Sequence, residues 1–317
     1  MKAYLGIDVG SVSTNIVVLT EKTEVLINLY LRTRGRPLET IKRGLKEAYE
    51  KLDKNIEIAG VGTTGSGRYL AGVIVGADVI KNEITAHAVA ASLLVPGVQT
   101  ILEIGGQDSK IIIMRNGIVT DFAMNTVCAA GTGSFLDQQA ARLNVSISEF
   151  GNLALQSKTK VRIAGRCTVF AESDMIHKQQ MGHSLADIIN GLCEALVRNY
   201  LNNVGKGKEI LPPIAFQGGV AANAGIKAAF EQQIGQPIII PKYFNVMGAV
   251  GAAQLSREKI QQGAHTKFKG FEVADMSYRT SSFECTYCPN ACEVVEIYEE
   301  DKVIGRWGNR CPRWDIS

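Results

Sequence analysis

Apolar runs and glycine-bearing turns alternate along most of the chain. The first apolar run, Ala3–Asp8, is followed after a polar turn by Asn15–Thr20, and a third strand-like run covers Glu24–Leu31. Uninterrupted apolar runs of this length are typical of strands inside a sheet. The next segment, Pro37–Leu52, is predicted to be a helix because its proline suits a first helical turn.

A similar unit recurs about a third of the way along the chain. Gln99–Ile104 is strand-like, Gly105–Ser109 forms a turn, and Lys110–Met114 is the returning strand. Asn116-Gly117 then predicts a two-residue hairpin before a further strand, Ile118–Phe122. The resemblance between the two units is short, so it is only weak evidence for a duplication.

The following part alternates helices with short apolar strands, which indicates an α/β fold. After about residue 265 the alternation stops, and the sequence predicts an irregular, cysteine-rich appendage. We predict a first lobe at 1–96, a second lobe at 97–264 whose last helix packs back on the first lobe, and a metal-binding tail at 265–317. The remaining predicted elements are helices at Gly133–Arg142, Val169–Gln179, Ser184–Asn202, Ala222–Gln232 and Val246–Gln261 and strands at Ile214–Gln217 and Pro237–Ile240.

Composition narrows the class of protein. The 317 residues are 46% hydrophobic and 21% charged, which suits one large or two medium α/β domains. A net charge of +3 without a long basic run argues against a nucleic-acid partner. Because we find no leader-like segment and no apolar stretch of about 18–20 residues, we expect a cytoplasmic protein with no membrane partner.

Three glycine-bearing turns follow apolar strands, and together they favour a phosphate-binding site. Glycines let a backbone approach a phosphate closely, and the N–H groups of such turns form anion-binding concavities. Carboxylates beside them suit Mg²⁺, which keeps several waters when bound. Taken singly, each turn is equally compatible with a tight hairpin. The candidate residues are Asp8, Gly10, Ser11, Ser13, Thr14, Gly105, Gly106, Asp108, Gly218 and Gly219.

Neither a P-loop nor a dinucleotide fingerprint is present. The three turns instead resemble motifs of the actin, Hsp70 and sugar-kinase superfamily. Asp8–Thr14 is similar to its first phosphate motif, Leu102–Lys110 to its second, Phe216–Gly225 to its adenosine motif, and Asn245–Ala252 to its connecting helix. The resemblance implies two related α/β lobes with ATP and Mg²⁺ in the cleft between them. It adds Glu103, Val220 and Asn223 to the nucleotide-binding residues.

Gln107 is the candidate for positioning the attacking water, with Asp8 and Asp108 as its catalytic partners. Phosphoryl transfer needs mainly orientation and charge neutralisation, and a glutamine can orient a water. The alternative is a polar turn residue without a chemical role.

Two isolated cysteines, Cys128 and Cys167, each precede a predicted helix. Thiolates at helix N-termini are favoured as anions and as cluster ligands, whereas free cysteines are also common as small buried residues. A 4Fe-4S cluster usually has four cysteine ligands. A symmetric homodimer supplies four, so we expect one cluster per dimer.

Asn125–Gly133 together with Gly165–Phe170 resembles the cluster-binding pair of the activator ATPases of 2-hydroxyacyl-CoA dehydratases. Benzoyl-CoA reductase ATPase subunits share this arrangement. The resemblance covers residues 1 to about 262. It implies an ATPase of anaerobic metabolism that drives low-potential electron transfer from ferredoxin or flavodoxin to an iron–sulfur dehydratase or reductase, or to a double-cubane cluster protein.

Four further cysteines, Cys285, Cys288, Cys292 and Cys311, lie close to the C-terminus. Their count and spacing indicate a metal site, either tetrahedral Zn²⁺ or a second 4Fe-4S cluster. A short segment without its own core would gain stability from such a metal.

Two other functions remain open at the level of sequence. A small-molecule kinase of the same superfamily would need an acidic base for a substrate hydroxyl, and we find no convincing one. A nucleotide-binding redox sensor would bind ATP without turning it over.

Overall fold

The computed structural model describes residues 1–125 and 127–315. Thr126, within the first cysteine motif, and Ile316 and Ser317, within the predicted tail, lie outside the described residues.

The strands are β1 (Lys2–Val9), β2 (Ser13–Thr20), β3 (Val25–Arg32), β4 (Glu57–Thr64), β5 (Val79–Ile80), β6 (Thr100–Ile104), β7 (Ser109–Arg115), β8 (Ile118–Asn125), β9 (Ile214–Gln217), β10 (Ile238–Ile239), β11 (Tyr278–Glu284), β12 (Glu293–Glu299) and β13 (Lys302–Trp307). The α-helices are α1 (Pro37–Lys51), α2 (Arg68–Val75), α3 (Glu83–Leu94), α4 (Gly133–Arg142), α5 (Ile147–Ala154), α6 (Thr168–Gln180), α7 (Leu185–Asn203), α8 (Ala224–Ile234) and α9 (Met247–Gln261).

The chain forms two compact units. Residues 1–86 and 248–317 make up unit 1, and residues 87–247 make up unit 2. Each unit contains a five-stranded mixed sheet with its own buried apolar cluster.

The two large sheets have the same topology. In unit 1 the order is β3-β2-β1-β4-β5, with β1 antiparallel to β2 and parallel to β4. In unit 2 the order is β10-β9-β6-β7-β8, with β6 antiparallel to β7 and parallel to β9. Each sheet therefore consists of an antiparallel meander followed by parallel crossover strands, which supports the duplication that the sequence indicated only weakly. The α/β class is confirmed.

Most predicted elements up to residue 261 are present. The helix at Gly133–Arg142 and the strand at Ile214–Gln217 have the predicted bounds. The hairpin between β7 and β8 is confirmed, since Asn116 and Gly117 both have positive φ, 52° and 75°, as the tight two-residue turn requires. Among the described helices, none is both long and apolar enough to cross a bilayer.

The prediction of an irregular tail was wrong. Strands β11, β12 and β13 form an antiparallel sheet. One face is apolar, because Tyr278 and Ile297 join the buried cluster of unit 1 together with Val273 and Ala274 from the preceding turn. The sequence of β12, Glu293–Glu299, does not alternate, because glutamates recur at every third position and Glu296 is itself buried. The segment therefore lacks the two-residue period from which a strand is predicted.

Candidate functional site

The first phosphate-type turn connects β1 to β2 in unit 1. The Gly10 N–H donates to the Ser13 carbonyl at 2.9 Å, which closes the turn tightly. Ser11 is exposed at its tip, whereas Thr14 is fully buried and shares a 3.1 Å hydrogen bond with Thr33. The backbone and Ser11 are therefore accessible to a ligand, and Thr14 fixes the shape of the turn.

Asp8 lies in a space that only glycines leave open. A Cβ on Gly65 would lie 2.6 Å from one Asp8 carboxylate oxygen, and a Cβ on Gly248 would lie 2.2 Å from the other. Asn15 and Thr64 are the register partners of Asp8 on the two neighbouring strands. The Asn15 Oδ1 and Thr64 Oγ1 atoms are buried without a hydrogen-bond partner. Because buried oxygens are rarely left unpaired, this oxygen-rich pocket fits a hydrated Mg²⁺.

The second turn connects β6 to β7 in unit 2. The Gly105 N–H donates to the Asp108 carbonyl at 3.0 Å, and Gln107 is exposed at the tip. Lys110 is 2% exposed and forms ion pairs with Asp108 at 2.7 Å and with Glu103 at 3.2 Å. A buried ammonium between two carboxylates lowers the local negative charge, which favours an approaching phosphate.

The same turn is hydrogen-bonded to the N-terminus of α4. The Gly133 N–H donates to the Gly105 carbonyl at 2.9 Å, and the Ser134 N–H donates to the Gly106 carbonyl at 2.8 Å. The Ser134 hydroxyl also donates to Gly106, at 2.5 Å. A shift of the Gly105-Gly106 backbone must therefore act on the start of α4.

The third turn, after β9, lies against the second. Gly218 has a φ of +88°, and a Cβ there would lie 2.3 Å from the Ile104 carbonyl oxygen. Gly219 is exposed, Val220 is buried, and the Asn223 side chain accepts from the Ile226 N–H at 3.1 Å as the N-cap of α8. Unit 2 thus brings the predicted phosphate and adenosine turns together, with Asn223 committed to capping.

Cys128 and Cys167 are also brought together. The Cys128 thiol donates to the carbonyl of Arg166, the neighbour of Cys167, at 3.6 Å. The Asn199 amide on α7 donates to the Cys128 sulfur at 3.6 Å and to the Gly165 carbonyl at 2.6 Å. Cys167 is the N-cap residue of α6. Cys128 precedes only a three-residue 3-10 turn, so α4 begins five residues after it.

Both thiols are half-buried beside apolar side chains that point into solvent. Val127 is 95% exposed, Val169 66% and Phe170 67%. Thiols with nearby N–H donors suit an iron–sulfur cluster, and an exposed apolar rim suits a second protein surface. Cys193, by contrast, is a core residue, because burial first and the nearby Glu194 second raise the pKa of its thiol to about 12.

The four C-terminal cysteines lie around one end of the β11–β13 sheet. Cys285 is buried, and its N–H donates to the Cys292 carbonyl at 2.8 Å, while Cys288 and Cys311 are exposed. The Trp314 indole first and the Tyr287 backbone N–H second lower the pKa of the Cys285 thiol. The indole approach falls short of full hydrogen-bond geometry, since that N–H has no acceptor. In 1–125 and 127–315, no three His, Cys, Asp or Glu side chains form a metal-binding group as they stand.

Sequence reasoning missed several residues that shape these sites. Asn15, Thr64 and Gly248 surround Asp8 only after folding. Lys110 meets Glu103 through the register of β6 with β7, and Asn199 contacts residues far from it in sequence. These contacts depend on strand pairing and helix packing, so no local pattern marks the residues.

The fold and the two phosphate-type turns define the class: an ATPase with the two mixed sheets of the actin and sugar-kinase proteins. The pattern of the BadF/BadG/BcrA/BcrD ATPase family matches residues 5–256. The chain therefore belongs to this family.

Relatives and solved structures agree with this placement. The (R)-2-hydroxyglutaryl-CoA dehydratase activating ATPase of Acidaminococcus fermentans is 37% identical over 263 residues, which are 80% of this chain and 97% of that protein. The crystal structure of the Acidaminococcus fermentans (R)-2-hydroxyglutaryl-CoA dehydratase component A matches with a TM-score of 0.75 at 34% identity, and the match covers 82% of this chain and 100% of that one. The activator of the 2-hydroxyisocaproyl-CoA dehydratase from Clostridium difficile with bound ADPNP has a TM-score of 0.74 at 31% identity, covering 82% and 96%. The family match ends before the β11–β13 sheet begins.

Proposed function

We infer that this ATPase is a reductive activator, which uses ATP hydrolysis to drive low-potential electron transfer to a partner iron–sulfur enzyme. One observation carries the proposal. Unit 2 places Cys128 beside the segment that bears Cys167, and the helix that follows Cys128 is hydrogen-bonded to the phosphate-type turn. The Cys128 segment leads into α4, and the start of α4 is hydrogen-bonded to the phosphate-type turn, so the thiol pair and the turn are linked as such coupling needs.

The turns divide the work of nucleotide binding. Backbone N–H groups around Gly10, Gly105 and Gly106 bind phosphate oxygens, with Ser11 adding a hydroxyl. Gly218 and Gly219 leave room for the adenosine to lie against the backbone. The ADPNP-bound relative, at 31% identity, supports ATP as the ligand.

Hydrolysis needs an oriented water and neutralised charge. Gln107 is exposed at the tip of its turn and orients the water. Asp8 would hold hydrated Mg²⁺, and the unpaired oxygens of Asn15 and Thr64 would accept from its waters. Asp108 is paired with Lys110, so it contributes to the charge balance of the turn.

Cys128 and Cys167 from each of two chains would hold one 4Fe-4S cluster in a homodimer. When bound, the cluster supplies one electron at low potential to the acceptor. Asn199 fixes the Cys128 loop through its bonds to sulfur and to the Gly165 carbonyl. The exposed Val127, Val169 and Phe170 exclude water around the thiols when a second protein surface covers them.

Nucleotide state reaches the thiols through α4. Contacts of a γ-phosphate with Gly105 and Gly106 pull on Gly133 and Ser134, and the same segment carries Cys128 five residues earlier. A change of hydrogen bonding to sulfur alters cluster potential, so the coupling has a physical route.

The partners follow from the named relatives. A 2-hydroxyacyl-CoA dehydratase is the proposed acceptor, with a benzoyl-CoA reductase-like enzyme or a double-cubane protein as the alternatives, and ferredoxin or flavodoxin is the donor. We place the protein in the cytoplasm, where thiols remain reduced.

The first test is the iron content of protein purified without oxygen. A cluster shared by two chains gives about two irons per chain at the Cys128 and Cys167 site. Cys128→Ser and Cys167→Ser are expected to lose that iron and to retain ATP binding, because neither residue lies in a phosphate turn. Cys193→Ala, in the core of the same unit, is the control and should retain the iron.

An unchanged iron content in either serine variant would remove the cluster assignment. ATP turnover without any iron in the parent protein would favour a kinase, and ATP binding without turnover would favour a sensor.

A further inference from the structure

We propose that the C-terminal sheet carries a separate metal centre, with Cys285, Cys288, Cys292 and Cys311 as four thiolate ligands to a thiophilic ion or an iron–sulfur cluster. This centre lies outside the matched family region, which ends at residue 256, and it does not depend on the cluster at Cys128 and Cys167.

The sheet register puts two of the thiols side by side. Glu284, at the end of β11, pairs with Glu293, at the start of β12. The Cys285 N–H continues this ladder by donating to the Cys292 carbonyl at 2.8 Å. Directly opposite residues on antiparallel strands have their side chains on the same face, with Cβ atoms about 4.5–5.5 Å apart. Cys285 and Cys292 are therefore spaced for a common metal centre.

Cys288 lies in the loop that joins these two strands. The Ala291 N–H donates to the Cys288 carbonyl at 3.2 Å, and Ala291 has a φ of 41°, so the loop is a compact turn. The Cys-x2-Cys spacing of Cys285 and Cys288 is the spacing that zinc and iron–sulfur sites use for two ligands on one turn.

Cys311 reaches the same end of the sheet through aromatic contacts. It precedes the 3-10 turn Pro312–Trp314, and the Trp314 ring packs edge-on against Phe283 of β11 with centroids 4.9 Å apart. The Arg313 guanidinium lies 3.2 Å from the centroid of the Tyr287 ring, in the loop between the first two cysteines. Two independent contacts thus fold the last cysteine segment onto the first.

A buried, unpaired donor points to a ligand set that is incomplete without metal. The Trp314 indole N–H is buried, has no acceptor, and lies beside the Cys285 thiol. A neutral thiol is a weak acceptor, whereas a metal-bound thiolate accepts N–H bonds well. The Arg313 guanidinium, which lies against the Tyr287 ring, adds positive charge beside the cysteine segment. The all-sulfur donor set does not suit Mg²⁺ or Ca²⁺, which prefer oxygen ligands.

Metal binding completes the site rather than filling a rigid cage. The described cysteines do not yet form a group of three ligands. Cys288 and Cys311 are exposed and close onto Cys285 and Cys292 when metal binds. Such coupling of metal binding to local folding is general for small metal-stapled segments.

The test is metal analysis of the full chain, as purified without oxygen and after reconstitution with Zn²⁺ or with ferrous iron and sulfide. It is run on the parent and on Cys128→Ser, so that the other cluster does not contribute. A zinc centre gives about one zinc per chain in both, and a cluster gives about four irons per chain in Cys128→Ser.

Cys288→Ser and Cys311→Ser replace exposed thiols, and each is expected to remove that metal while ATP hydrolysis persists. Thr286→Ser, an exposed change in the same loop, is the matched control and should retain it. Unchanged metal content in both cysteine variants, or no zinc and no tail iron in any preparation, would overturn the proposal.

Trp314→Phe separates a role at the sulfur from ring packing. It retains the contact with Phe283 and deletes the N–H, so we expect metal loss to a chelator about ten-fold faster. An unchanged rate of loss would show that the indole N–H does not support the centre.

Discussion

At the level of single residues, the sequence identified the residues of the glycine-bearing turns and missed the residues that support these turns. Asp8, Gly105 and Gln107 stand in glycine-bearing turns, which leave a local pattern. Lys110 and Asn199 act through contacts that exist only after β7 pairs with β6 and α7 packs beside the cysteine loop. Burial of the Lys110 ammonium in an apolar strand would be energetically unfavourable without its two carboxylate partners, Glu103 and Asp108.

Gln107→Ala tests the residue proposed to orient the attacking water. Loss of the amide leaves the water unpositioned, so kcat for ATP hydrolysis should fall about 10²-fold while the Kd for ADPNP changes little. Turnover is measured by phosphate release and binding by calorimetry. Gln262→Ala, an exposed glutamine outside both turns, is the control, and equal turnover in the two variants would leave Gln107 as a turn residue without a chemical role.

At the level of elements, the spacing of apolar residues was sufficient to predict a strand or helix where that spacing has one clear period. The bounds of α4 and β9 were predicted, since both are bordered by glycines. The short elements α2, α5 and β4 were not, because their apolar runs contain several glycines or small residues. The β11–β13 sheet was missed for another reason: β12 lacks a two-residue period, because glutamates at every third position interrupt its apolar residues.

Ser134→Ala tests the contact between the phosphate-type turn and α4. Removing the hydroxyl bond to Gly106 should cost about 1 kcal/mol of stability and leave the backbone bond intact. We expect ATP hydrolysis to persist and the nucleotide-dependent change in the electron paramagnetic resonance spectrum of the reduced cluster to decrease.

Ser148→Ala is the control for this change, because its hydroxyl bonds the Ser146 hydroxyl, at 2.7 Å, near the start of α5 and away from the turn. If both serine variants respond to nucleotide as the parent does, α4 does not transmit nucleotide state through this side chain.

At the level of the whole molecule, the duplicated sheets follow from the repeated strand–turn–strand units, whereas the place of the C-terminal strands does not. Residues 278–307 are distant in sequence from the core that they complete, and only long-range packing brings Ile297 into the cluster of unit 1. The tail was predicted as an appendage because local sequence carries no information about such a contact.

Ile297→Ala distinguishes an integral sheet from an appendage. Ile297 is 0% exposed within the unit 1 cluster, so removing its side chain should cost about 2–5 kcal/mol. Calorimetry should show this loss as a lower melting temperature of the transition that ADPNP stabilises, which is that of the ATPase core. Thr280→Ala, an exposed change on β11, should leave the unfolding profile as in the parent. Because an appendage would unfold without affecting the ATPase core, an unchanged ATPase melting temperature in Ile297→Ala would mean that the sheet does not support unit 1.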